Sequence, residues 1–84
     1  MKEVLRIVGD IGYEGNESLS SIIDWIRTTH KFNIWIEHGT ISKKGKTHDL
    51  TTDLGSHRGN YISYELAQVA GIMKFVLNNE RLNK

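Results

Sequence analysis

Apolar and polar positions divide the chain into short segments with different periods. Val4-Leu5-Arg6-Ile7-Val8 is apolar on both parities and closes on Gly9, which predicts a short central strand. Gly9, Gly12, Gly15 and Asn16 then punctuate a loop. Leu19, Ile22, Ile23, Ile26 and His30 recur at helical spacing, with Ser20, Ser21, Asp24, Arg27 and Thr28 opposite. This predicts an amphipathic helix capped by Asn16 or Ser18, with Glu17 near its positive end.

Phe32, Ile34, Ile36 and His38 alternate with Asn33, Trp35 and Glu37, the mark of a half-buried strand. Ser42-Lys43-Lys44-Gly45-Lys46 reads as a turn, and Thr47 to Leu54 as the strand that returns from it. Gly55-Ser56-His57-Arg58-Gly59-Asn60 reads as a second loop. A long helix is expected from Tyr61 to Leu77 or Glu80, with Ile62, Leu66, Val69, Ala70, Met73, Val76 and Leu77 inward. The order is β-α-β-β-α, its first two strands joined by a helix as a right-handed βαβ unit, or at least lying as neighbours. The expected fold is a single α+β domain over residues 1–84: a two-layer sandwich of a three-stranded sheet with two helices on one face. Its core unites Ile23, Ile26, Ile34, Ile36, Leu66, Val69 and Met73, and its open sheet face carries Trp35, Glu37, Asp49 and Asp53.

Composition narrows the function. The chain has 84 residues, with 11 basic against 10 acidic side chains and a formal net charge of +1. That balance argues against a strongly basic nucleic-acid binder or an acidic mimic, though it allows a local basic patch. Without cysteine there is no disulfide framework and no thiolate metal site. No apolar run is long enough to span a bilayer, and the N-terminus lacks a signal-peptide pattern, so a cytoplasmic protein with no membrane partner is expected. A domain this small without covalent staples gains from association.

Several segments invite chemistry. Gly9-Asp10-Ile11-Gly12-Tyr13-Glu14-Gly15 has glycines spaced GxxGxxG, not the GxGxxG of a dinucleotide site, and its acids would repel a pyrophosphate. No cofactor is therefore expected. His57, Arg58 and Asn60, in a loop ahead of the long helix, form the best candidate for binding a phosphate or carboxylate. His38 and His48 face each other if the hairpin turns near Lys43, with Asp49 and Asp53 close by, but no tight histidine pair argues for a metal. Lys43, Lys44 and Lys46 at the hairpin tip, with Trp35 for stacking, are a candidate nucleic-acid surface. Tyr64, Gly71 and Phe75 are expected on the back of the long helix as a dimer interface, Gly71 marking the closest approach.

Two partial resemblances add to these readings. Val4-Leu5-Arg6-Ile7-Val8-Gly9-Asp10-Ile11-Gly12, set before a helix and a strand, resembles the opening unit of phage head-maturation proteases of the ClpP type. His38-Gly39-Thr40 stands where their serine motif belongs, so no protease activity is carried over. The hairpin followed by Tyr61-Ile-Ser-Tyr-Glu-Leu-Ala-Gln-Val-Ala-Gly-Ile resembles the end of HicA-type small mRNA interferases. That resemblance implies RNA cleavage with His38 as the catalytic histidine.

No coherent catalytic constellation emerges from the residues themselves. The leading expectation is a small non-enzymatic regulatory or inhibitor protein that occupies another macromolecule, most simply a protein, and forms a homodimer. One alternative is a nucleic-acid-binding or RNA-cleaving module using the 43–48 hairpin and His38. Another is a binder of a small phosphorylated ligand at residues 55–60.

Overall fold

The structure is a computed structural model that describes the backbone of residues 2–42 and 45–82, and side chains within that span except at 38–46, 57–60, 81 and 82. The elements follow the order α1 (Lys2–Asp10), α2 (Leu19–Thr29), β1 (Ile34–Ser42), β2 (Gly45–Thr52), β3 (Gly55–Tyr61) and α3 (Tyr64–Leu82). The protein is thus α+β with a small three-stranded antiparallel sheet in the order β1-β2-β3.

The expected first strand is a helix. Val4 and Val8, four apart, are buried on one face of α1, while Glu3 and Arg6 are exposed. There is accordingly no βαβ unit, and the strand that supported the protease resemblance is absent. The helix ends in a Schellman motif: Tyr13 N–H donates to Val8 O at 3.0 Å and Gly12 N–H to Gly9 O at 3.1 Å. Gly12 takes φ +109°, a conformation that suits glycine. Tyr13 then turns back onto the core beside Val8.

Helix α2 matches its pattern. Ile22, Ile23 and Ile26 are buried, and Ser18 Oγ caps the first turn by accepting from Ser21 N–H at 3.4 Å. Lys31, just past the end, takes the left-handed conformation at φ +57°. The β1–β2 hairpin also matches, with Ile36 opposite Leu50 and His38 opposite His48. The predicted loop at 55–60 is instead β3, paired to β2 through Leu50–His57 and Thr51–Ser56.

Helix α3 is rotated from the expected orientation. Ala67, Gly71, Ile72, Phe75 and Val76 are buried, whereas Leu66, Leu77 and Ile62 are more than half exposed. A Cβ on Gly71 would meet Ile34 Cγ2 at 2.7 Å and Leu50 Cδ1 at 3.1 Å. The missing side chain is what lets Ile34 and Leu50 seat against the helix. Of the seven expected core residues, Ile23, Ile26 and Ile34 are buried, and Ile36 and Val69 pack at the core margin. Met73 is only half-buried, and Leu66 lies outside the core. An aromatic run, Tyr13–Trp25–His30–Phe75–Phe32, ties α2 to α3 with ring centroids 4.8–5.4 Å apart.

Candidate functional site

The open edge of β1 comes from two hydrogen bonds. Arg27, on the last turn of α2, donates through Nη2 to Ile34 O at 2.9 Å. The Ile34 carbonyl is therefore turned away from β2. One residue earlier, Asn33 N–H points the other way, to Asp53 Oδ2 at 3.1 Å. Antiparallel ladders alternate, so Ile36 also turns its N–H and C=O outward, while Trp35 and Glu37 bond to β2. Among the described residues β1 has a sheet neighbour only on its β2 side, so these outward groups lie on an edge that no described strand pairs.

A cleft of about 320 Å³ runs along this edge between α2, β1 and the start of α3. Ile23, Ile34 and Ile36 supply its apolar surface, and Ser20, Asp24, Arg27 and Gln68 its polar groups. Trp35 and Tyr64 also line it and are 47% and 51% exposed; Trp35, alternating with Ile34 and Ile36 along β1, presents its side chain to the other face of the sheet beside this edge. Tyr64 is held on its other side by the His48 ring, with centroids 5.9 Å apart and planes at 75°. Gln68 is buried and donates to Ser20 Oγ at 3.3 Å, which joins α2 to α3 at the back of the cleft. Arg27 is braced by Asp24 at 3.3 Å, and its buried Nε finds no hydrogen-bond partner among the described residues.

The predicted site residues are redistributed. Trp35 and Tyr64, assigned to different surfaces by the sequence, line the same cleft. Gly71 and Phe75 are core residues against the sheet and the Phe32 ring, not an exposed back face, because α3 turns its small residues toward the sheet. The stripe Tyr64–Gly71–Phe75 is corrected on that ground. His57, Arg58 and Asn60 belong to β3 rather than to a loop at a helix start. Helix α3 begins later, capped by Ser63 Oγ, which accepts from Leu66 N–H at 3.0 Å. The frame proposed for anion binding is therefore not the one observed, and the side chains at 57–60 lie outside the described residues.

Lys43 and Lys44 also lie outside the described residues, as do the side chains of Lys46 and His38. Ser42, where β1 ends, is seven positions from Trp35, about 23 Å along an extended strand. The open sheet face between them bears Glu37 directly opposite Asp49. Among the described residues, no group of three or more histidine and acidic side chains is placed to hold a metal ion, and no helix is long and apolar enough to cross a membrane.

Arg27, Ser20 and Gln68 were not singled out by sequence. Arg27 looked like one more residue on the polar face of α2. Gln68 carried a faint signal, a polar residue within the Ala67–Phe75 apolar segment. Compared with known proteins, the chain matches no family model, no curated protein and no solved structure.

Proposed function

We propose that the protein is a small non-enzymatic regulatory or inhibitor protein that works by capturing an extended segment of another protein along β1. In this reading the helices form one layer over one face of the sheet, leaving the β1 edge open as the docking element. One observation carries it: the outward-turned backbone of Ile36 lies within a cleft that exposes Trp35 and Tyr64. An added strand gains main-chain hydrogen bonds from such an edge, and alternate side chains enter the groove beside it. Arg27 already holds the Ile34 carbonyl, so pairing starts at Ile36 and runs toward His38.

The test is a selection of short random peptides followed by amide chemical-shift mapping on the full chain. Selected peptides should shift Ile36, Arg27, Tyr64 and Gln68, and Trp35→Ala or Tyr64→Ala should each weaken binding by about tenfold. Shifts by single-stranded oligonucleotides at these residues, with none from peptides, would overturn the reading.

A further inference from the structure

The cleft beside β1 does not end at Tyr64. It shares Ser20, Tyr64 and Gln68 with a second, more open hollow of about 620 Å³ between the start of α2 and the start of α3. Glu17, just ahead of α2, and Glu65, in the first turn of α3, both line this hollow and are exposed. Among the described residues, neither forms an ion pair and no basic side chain lines the hollow. Arg27, the basic residue of the cleft itself, is already held by Asp24 and the Ile34 carbonyl.

Gln68 lies where the two spaces meet. It is 6% exposed, and its Nε2 donates to Ser20 Oγ. Its Oε1 has no hydrogen-bond partner among the described residues and, unlike Arg27 Nε, is not shut away from solvent. A carbonyl oxygen on an otherwise buried side chain, left open to the cleft, calls for a hydrogen-bond donor. Ammonium and guanidinium groups are donors only.

We infer that the segment captured along β1 carries a lysine or arginine at the position paired with Ile36, its charged end received by Gln68 Oε1, Glu65 and Glu17. This rests on strand capture at β1 and adds what the captured strand must carry. Residues paired across two strands send their side chains to the same face of the sheet. Ile36 lines the cleft, so the side chain paired with it enters the cleft too. Its aliphatic stem lies along Ile23 and Ile36, and its charged end continues past Tyr64 to the carboxylates. Half-exposed Tyr64 adds an aromatic ring for the cation. An acidic side chain in the same place would meet two carboxylates and a carbonyl oxygen, so the site selects against it as well as for a base.

Selection of short random peptides on the full chain, and in parallel on a Glu17→Gln, Glu65→Gln double variant, tests this. Wild type should enrich lysine or arginine at one position, and replacing that residue by norleucine should weaken binding by about tenfold. The double variant should bind the lysine and norleucine peptides nearly equally, while both still shift the Ile36 amide. Acids at a helix start also favour the helix; a role confined to that would lower the variant's thermal midpoint without changing which peptides it selects, and an unchanged preference overturns the inference. Peptides that shift Ile36 but carry no enriched basic residue overturn it too, and leave capture at β1 standing. If no peptide shifts Ile36, capture itself fails and this inference with it.

Discussion

A Cβ at position 71 would lie 2.7 Å from Ile34 Cγ2, a methyl on a buried β-branched side chain that cannot swing aside. Two effects therefore oppose each other in Gly71→Ala. The helix gains about 1 kcal/mol in propensity, and overpacking costs about 1–3 kcal/mol. The second should win, lowering stability by up to roughly 2 kcal/mol in urea denaturation. A stabilised variant would mean that the sheet does not press on α3 here. Lys31 presents the opposite case. It is exposed and holds φ +57° past the end of α2, at a cost of about 1–2 kcal/mol for a residue with a side chain. Lys31→Gly should recover about 1 kcal/mol, read as a rise in thermal midpoint. An unchanged or lower midpoint would contradict the left-handed cap.

Elements with a long single period were legible from sequence. Helix α2 and the β1–β2 hairpin were read correctly, because Ile22, Ile23 and Ile26 suit only a helix and Phe32 to His38 only a strand. Three other features were not legible. A β-branched run such as Val4 to Val8 fits strand or helix by period, and what decides it is the Schellman end at Gly12 together with packing on α3. β3 carries glycines and polar side chains with no apolar alternation, and it exists through pairing with β2. In α3 both faces are apolar, so periodicity could not say which one meets the sheet, and the close approach at Gly71 decides it. The start of α3 gives a direct check. Ser63→Ala removes the Oγ that accepts Leu66 N–H at 3.0 Å. It should cost about 1 kcal/mol, and an unchanged urea midpoint would show that the helix starts elsewhere. The cleft was half legible: Trp35 and Tyr64 stood out as aromatics, but their convergence with Arg27 and Gln68 depends on how α2 and α3 sit against β1.

The whole molecule sets a thin core beside a β1 edge that no described strand pairs. Ile22, Ile26, Ile34, Leu50 and Ile72 are almost fully removed from water. Ile26→Ala or Leu50→Ala should cost about 2–5 kcal/mol, enough to unfold a small domain. Leu66→Ala should cost the monomer under about 1 kcal/mol, since Leu66 is half exposed. Equal losses at Leu50 and Leu66 would mean that the helix faces the other way. Amide hydrogen exchange along β1 tests that edge most directly. In the free protein Trp35 and Glu37 should be protected and Ile36 should exchange quickly, and a selected peptide should slow Ile36 by more than about tenfold. An Ile36 amide already protected in the free protein, or one whose exchange is unchanged by bound peptide, would contradict capture at this edge.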